Sequence, residues 1–391
     1  MRLNSRKICV VSGTRAEYGL LYWVLRAIER DRAMQLQLVL TGSHLASDFG
    51  LTREVVAADG FSIAAEVDIL SDDNSRLGVA KSLARGVAGL ADAFSRLSPD
   101  LLLLLGDRYE VFAAAQAAMM LRIPIAHIHG GESTEGLIDE AIRHAVTKMS
   151  HLHFVSAEPH RRRVIQLGEQ PARVWNVGAP GLDNLRRLRL LTQRQLEKDL
   201  GFSLGKMFFL VTFHPLTLDD EGPEQSLSNL FGALSRFPEA TVLCTMANAD
   251  AGGAIINAAL RRYAVAEPQR IHLVESLGQV RYLSAMRAAA VVVGNSSSGI
   301  IEAPVLGVPT VNIGDRQRGR LRAVSVIDCA PTERAILRAL RKAISPGFRR
   351  KARTARSLYG DGRSAPRIAR VLRSARLDGI LFKKFNDIPR R

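Results

Sequence analysis

The stretch Val291–Val305, VVVGNSSSGIIEAPV, constrains the fold of this chain more than any other. A continuous β-branched run is the mark of a parallel strand buried on both faces. Here the run ends in Gly-Asn-Ser-Ser-Ser-Gly, and a carboxylate follows at Glu302. A short Gly/Ser loop that leaves such a strand and opens into a helix offers backbone N–H groups and hydroxyls to an anion, usually phosphate. Glu302, one or two helical turns on, is placed to accept hydrogen bonds from a ribose diol. In isolation the same residues also read as an ordinary polar βα loop. Repetition along the chain decides.

The first repeat is a strand at Ile8–Val11, a loop Ser12-Gly13-Thr14-Arg15, and a helix whose apolar stripe is Leu20, Leu21, Val24, Leu25 and Ile28. Further strands are expected at Leu36–Leu40, Leu101–Leu105, Ile125–Ile128, His153–Val155 and Val174–Val177. A second series follows Gly178-Ala179-Pro180-Gly181 and the charged stretch Arg186–Lys198. It comprises Phe208–Phe213, Thr241–Thr245, Ile271–Val274, Ala290–Val293, Thr310–Ile313 and Val324–Asp328. Strands alternating with helical patterns specify parallel α/β sheets. The expected class is α/β with two doubly wound Rossmann-like domains, residues 1–184 and 185–358, facing a cleft. Residues 359–391 are too few for a domain, and their helix is expected to pack back across the N-terminal half. Ligands in such sheets bind at the carboxyl ends of strands, which makes the cleft the expected active site.

A chain of 391 residues is too long for one ordinary core. No apolar run reaches the ~18 residues that span a bilayer. The N-terminal MRLNSRKICVVSG reads as a first core strand rather than a signal peptide. Three cysteines, Cys9, Cys244 and Cys329, are widely spaced in apolar runs. They fit a reduced, cytoplasmic protein better than a disulfide frame or metal cluster. The net charge of +16 is concentrated at the end, where residues 331–391 hold 18 Lys/Arg and 4 Asp/Glu. That segment has few aromatics and apolar residues at helical spacing (Ile368, Val371, Leu372). It reads as exposed faces of amphipathic helices, not as a nucleic-acid or membrane-binding arm.

Several strand-end loops are unusually polar. Gly13-Thr14-Arg15-Ala16-Glu17 sets Arg15 at a helix N-terminus suited to phosphate, but lacks G-x-G-x-x-G spacing, so nicotinamide binding is disfavoured. Five leucines run into Gly106-Asp107-Arg108-Tyr109-Glu110, where Asp107 is either a cap for the next helix or a catalytic acid. His127-Ile128-His129-Gly130-Gly131-Glu132 follows, with Asp139, Arg143 and His144 beyond. As a metal-ligand pattern this is weak, and a proton-transfer site fits at least as well. Phe213-His214-Pro215 ends the first strand of the second half, and Asn248 ends the next.

In chain order, GTRAEYG, GDRYE, HIHGGE, IRHAVTKMS, FHP, NSSSG and IGDRQRGR resemble the hydrolysing UDP-N-acetylglucosamine 2-epimerases of bacterial sialic acid synthesis. The epimerase half of the vertebrate bifunctional enzyme carries the same pattern. The resemblance runs from about Lys7 to the YGDG segment and its helix. It implies a glycosyltransferase-B-like architecture with a UDP-sugar in the interdomain cleft, a homodimer or homotetramer, and no cofactor or metal. By that resemblance Arg15, Arg108, His214, Asn248, Ser296, Ser297, Glu302 and Arg316 contact the nucleotide. Asp107, Glu132 and Asp139 surround the sugar, and His214 belongs to the catalytic set as well. His129 stands where the vertebrate branch has a glutamate, and Gly19 replaces a phosphate-contacting serine of that branch. The second acid/base group stays open among His129, Glu132 and Asp139.

The implied reaction removes the proton at C2 while UDP leaves C1, giving a 2-acetamidoglucal. Water then adds at C1 with reprotonation of C2 from the opposite face, releasing N-acetylmannosamine. Two acid/base groups are needed, with arginines and hydroxyls to stabilise the departing diphosphate. Overlapping motifs leave the same chemistry on a UDP-2,4-diacetamido-2,4,6-trideoxyhexose, for legionaminic acid synthesis, as the alternative. A glycosyltransferase on the same scaffold is a further rival, as is a nucleotide-sugar-binding regulator. The acid/base set is richer than either requires.

Overall fold

The computed structural model of the chain describes residues 5–46, 52–71, 73, 75–135, 138–215, 223–247 and 253–387. Seven parallel strands form the first sheet: β1 (Arg6–Ser12), β2 (Met34–Thr41), β3 (Ile63–Val67), β4 (Leu101–Leu105), β5 (Ile125–Ile128), β6 (Leu152–Val155) and β7 (Val174–Asn176). Their spatial order is β3-β2-β1-β4-β5-β6-β7. Six parallel strands form the second: β8 (Phe208–Thr212), β9 (Thr241–Thr245), β10 (Ile271–Val274), β11 (Val291–Gly294), β12 (Thr310–Ile313) and β13 (Val326–Cys329). They lie in the order β10-β9-β8-β11-β12-β13.

Strand alternation shows why these runs are apolar throughout. Ile8, Val10, Leu101, Leu103 and Leu105 enter one core, under the helix Arg15–Glu29. Cys9, Val11, Leu102 and Leu104 enter the other, under the helices Arg76–Leu97 and Tyr109–Met120. A strand buried on both faces favours apolar side chains along its whole length. The one strand missed in the sequence, β3, is an edge strand of Ile-Ala-Ala-Glu-Val whose residues alternate half-buried and exposed up to a buried Val67. Only one of its neighbours is a strand, so its composition is under little pressure to be apolar.

The chain divides into two compact units. The first takes the described residues of Met1–Glu132, Asp139–Asn184 and Tyr359–Arg391; the second takes the described residues of Ser133–Ile138 and Leu185–Leu358. The first stretch is therefore not continuous from 1 to 184. Within the second unit, Glu135 N–H donates to the Arg318 carbonyl at 3.3 Å and Arg318 pairs with the Glu135 carboxylate at 3.0 Å.

The C-terminal residues complete the first unit. Gly360, at φ +107°, lies so near Gly178 that a Cβ there would stand 2.7 Å from the Gly178 Cα. That approach lets the Ala179 N–H reach the Tyr359 carbonyl at 2.7 Å. The helix Ser364–Ser374 then begins on Asp183, whose carboxylate accepts from the N–H groups of Ser364 (2.7 Å) and Ala365 (2.9 Å). Ala365, Ile368, Ala369 and Leu372 join the core beneath the helix Arg15–Glu29. Beyond them Lys383 inserts its ammonium beside the buried Glu169, 2.8 Å away. Lys148 and His153 also pair with Glu169, and despite burial these donors hold its carboxyl down at about 2. The basic C-terminal stretch thus splits: Lys383 is structural, whereas Arg334, Arg338, Arg349 and Arg350 stand on exposed helix faces.

Candidate active site

In each sheet the strand order reverses once, between β1 and β4 in the first and between β8 and β11 in the second. Loops leaving the carboxyl ends of such a pair diverge to opposite faces and leave a crevice, the usual ligand position in doubly wound sheets. Most of the polar motifs read from the sequence lie on these loops or on the one that follows β5.

At the end of β1, Thr14 caps the helix Arg15–Glu29 by accepting from the Glu17 N–H at 3.2 Å. Glu17 folds back to accept from the Gly13 N–H at 2.7 Å. Burial, and next the charge of Glu110, push the Glu17 carboxyl up to about 7, against the pull of Arg108. Glu110 is itself buried and pairs with Arg108 Nε at 3.2 Å. These two carboxylates were not singled out in the sequence, because nothing local distinguishes them from ordinary first-turn glutamates. Arg15 is exposed at the start of its helix.

At the end of β4, Asp107 does not cap the following helix. The helix Tyr109–Met120 starts after Arg108 with no side-chain cap, and the Asp107 carboxylate is ion-paired with Arg143. Arg143 is 1 % exposed, a depth at which a lone cation is untenable. Its partners include Asp107, the Glu140 carboxylate at 2.5 Å and the Glu132 carbonyl at 3.2 Å. Burial works against its charge, but Asp107, Glu132 and Glu140 hold the guanidinium above its ordinary value. Asp139 opens the helix Asp139–Met149 that carries Arg143.

The two histidines at the end of β5, His127 within the strand and His129 just after it, differ in role. His127 is fully buried, donates from Nε2 to the Gly106 carbonyl at 2.7 Å, and is pushed down to about 3 by burial. It is a neutral core residue. His129 adopts φ +69°, a left-handed backbone that few side chains accept and that recurs at functional positions. Its Nδ1 donates to Glu132 Oε1 at 2.5 Å, while its Nε2 is buried without a hydrogen-bond partner. Ser156 Oγ donates to the same Glu132 oxygen at 2.5 Å. The structure therefore gathers Asp107, His129 and Glu132 around Arg143, with Asp139 one helical turn before it.

In the second unit the pair β8 and β11 is locked by Asn295. Its side chain accepts from the His214 N–H at 2.8 Å and donates to the His214 carbonyl at 2.7 Å. The fit depends on Gly294, at φ +133°, where a Cβ would meet the Thr212 carbonyl oxygen at 1.9 Å. The serines form a chain: Ser296 Oγ lies 3.0 Å from Ser298 Oγ, which lies 2.6 Å from the Tyr282 hydroxyl. Ser297 precedes a helix of one turn only, Ser298–Ile301, and Glu302 ends it. Although Glu302 keeps some exposed surface, its Oε2 is buried without a partner, and desolvation pushes the carboxyl up to about 8. Arg316 and Gln317 donate to the Asn295 carbonyl at 3.3 and 2.9 Å. His214, Ser296, Ser297, Glu302 and Arg316 thus gather on one end of this sheet, and Asn248 lies outside the described residues. Among the described residues no three His, Cys, Asp or Glu side chains form a metal-binding group, and no helix is long and apolar enough to cross a membrane.

Comparison with known proteins identifies the family and the fold class. Residues 26–373 match the model of the UDP-N-acetylglucosamine 2-epimerase family. The chain is 38% identical over 387 residues to the GDP/UDP-N,N'-diacetylbacillosamine 2-epimerase (hydrolyzing) of Campylobacter jejuni, covering 99% of this chain and 100% of that protein. It is 36% identical to the polysialic acid biosynthesis protein P7 of Escherichia coli, over 98% of each chain. The crystal structure of UDP-GlcNAc 2-epimerase from Neisseria meningitidis bound to UDP-GlcNAc superposes with a TM-score of 0.82 at 19% identity, over 94% of this chain and 99% of that one. The fold is thus the two-domain α/β, glycosyltransferase-B-like class. The chain belongs to the UDP-N-acetylglucosamine 2-epimerase family, in its hydrolysing branch, and is an enzyme acting on nucleotide sugars.

Proposed function

We propose that this enzyme releases a free 2-acetamido sugar, inverted at C2, from its UDP-sugar by elimination and hydration. Asp107 and His129 exchange the protons. Arg15, Arg108, His214, Asn248, Ser296, Ser297, Glu302 and Arg316 hold the nucleotide, His214 serving both sets. The observation that carries this reading is the bare, buried Nε2 of His129 opposite an Nδ1 committed to Glu132. A histidine held in that way is a general base awaiting a proton. Glu132 then supports the base, and Asp139 stays outside the proton path. The reaction needs no redox step, since the bond changes at C1 and C2 balance with one water.

The favoured sugar is N,N'-diacetylbacillosamine, because the Campylobacter relative is named for it and aligns along its whole length. UDP-N-acetylglucosamine, leading to N-acetylmannosamine and sialic acid-type products, is the second reading. The similarity to the polysialic acid biosynthesis protein supports it. Incubation with each UDP-sugar, and with the GDP form, in the absence of any acceptor tests both. Free nucleotide and a 2,4-diacetamido-2,4,6-trideoxymannose identified by NMR are expected. Release of N-acetylmannosamine alone would select the second reading, and no release from any of them would refute both. A homodimer or homotetramer is the expected assembly, checked by light scattering.

A further inference from the structure

We infer that His127 is a positioning residue for Asp107: its imidazole ties the peptide through which the chain enters Asp107 to the helix that carries Arg143. This rests on the proposed part of Asp107 in the proton transfer. Strand alternation turns His127 to the same side as Ile125, toward the core that also takes Val146 of the helix Asp139–Met149. Its neighbours in β5 are Ile125, Ala126 and Ile128, so the histidine is the one side chain of that strand with hydrogen bonds to make. A carbonyl oxygen only accepts, so the Gly106 oxygen, 2.7 Å from Nε2, fixes a proton on that nitrogen. Burial keeps the ring neutral, against the pull of Asp107 and with the help of Arg143 and His153. Nδ1 is therefore bare, and it accepts from the Thr147 hydroxyl at 3.2 Å.

The two bonds hold the two ends of one ion pair. Gly106 turns out of β4 at φ +84°, and a Cβ there would meet nothing within 4 Å, so no side-chain packing at that position confines the turn. β5 confines it instead: the Gly106 N–H donates to the Ile128 carbonyl at 3.0 Å, and His127 takes the Gly106 carbonyl. That carbonyl lies in the rigid peptide plane that ends at the Asp107 nitrogen, so fixing it fixes the direction in which the Asp107 side chain leaves. At the other edge of the ring, Thr147 stands one helical turn after Arg143, and its hydroxyl donates to the Arg143 carbonyl at 2.8 Å. Asp107 and Arg143, paired through their side chains, are thus also joined through their backbones by one imidazole. The chain leading to His129 and Glu132 closes over this contact at Gly130, where a Cβ would stand 2.9 Å from Thr147 Oγ1 and 3.2 Å from His127 Nδ1. Without the imidazole, the Gly106 peptide is held at its N–H side only. Proton transfer needs its groups placed to about 0.5 Å, and an ion pair to a long arginine side chain is too compliant to supply that alone.

Amide substitutions separate the two edges of the ring, since a glutamine amide reaches about as far as Nε2 and an asparagine amide about as far as Nδ1. In His127→Asn, kcat should fall about 10- to 100-fold, the scale of a small misplacement, with UDP affinity within about twofold. His127→Gln, which returns a donor to the Gly106 carbonyl, should recover most of that loss. In the Asp107→Asn background, His127→Asn should slow turnover by less than about threefold more, because the group it positions no longer exchanges a proton. A folded His127→Asn that keeps its kcat would overturn the inference. So would a glutamine variant as slow as the asparagine one, or full additivity with Asp107→Asn. Nitrogen NMR on the unmodified full chain labelled with 15N-histidine tests it without any variant. His127 is expected to show a protonated Nε2 and a bare Nδ1 throughout about pH 5 to 8. A bare Nε2, or a ring that titrates in that range, overturns the tie to Gly106. An Asp107→Asn enzyme that keeps most of its kcat refutes the proposed role of Asp107 instead, and the NMR result then decides the tie by itself.

Discussion

Asp107 carries two loads at once, a place in the proposed proton chemistry and half of an ion pair that keeps Arg143 buried. Asp107→Asn keeps the shape and removes the charge. Turnover should fall at least about 100-fold while UDP affinity stays within about twofold. Stability should drop by about 1–2 kcal/mol, because Arg143 retains Glu140 and the Glu132 carbonyl. Steady-state kinetics and thermal melts read the two effects separately; a variant keeping most of its kcat would make Asp107 structural. Glu17 makes a second prediction. Its folded-state value of about 7 lies above that of an unfolded glutamate, so its contribution to stability is complete at low pH and is lost as pH rises through 7. Glu17→Gln should flatten the fall in melting stability between about pH 4.5 and 7, an effect of at most about 3 kcal/mol. Identical pH profiles for the two proteins would contradict it. The sequence made Asp107, His129 and Glu132 visible through their place after apolar strands. Ser156 and the buried pairing of Glu110 with Arg108 were invisible, because their significance lies in partners met only in three dimensions.

The elements that bear these residues were legible in proportion to their burial. Leu101–Leu105 and Val291–Val293 announce themselves because each side chain enters a core, on one face or the other. β3 did not, since an edge strand of alanines and a glutamate resembles a loop. Helix starts were harder still. The capping role given as one option for Asp107 belongs to no side chain, whereas Asp183 caps a helix 181 residues away in sequence. Asp183→Ala should therefore cost about 1–2 kcal/mol and loosen the C-terminal helix, with Asp183→Asn costing less. Hydrogen exchange on Ser364–Ser374 checks it: protection equal to that of the unmodified chain would show that the core contacts alone hold the helix. The loop after β11 is the counterpart in the second unit. Glu302→Ala should weaken UDP binding by about 1–3 kcal/mol. Calorimetry with unchanged affinity would remove this loop from the site.

At the scale of the molecule, two parallel sheets each reverse strand order once, and the polar loops collect at those reversals. That much was readable from the alternation of strand, loop and helix, since parallel strands require crossovers and crossovers require helices. That Glu135 contacts Arg318 of the second unit was not readable, because the two meet only in the folded chain. The chemistry proposed for these units makes one demand that neither a glycosyltransferase nor a binding protein shares: the hydrogen at C2 must leave and a solvent proton must replace it from the other face. Turnover of the UDP-sugar in deuterated water measures that demand most directly. The released sugar is predicted to carry deuterium at C2 with that centre inverted, fully and from the first turnover. A released sugar with protium at C2, or with its original configuration, would contradict the mechanism.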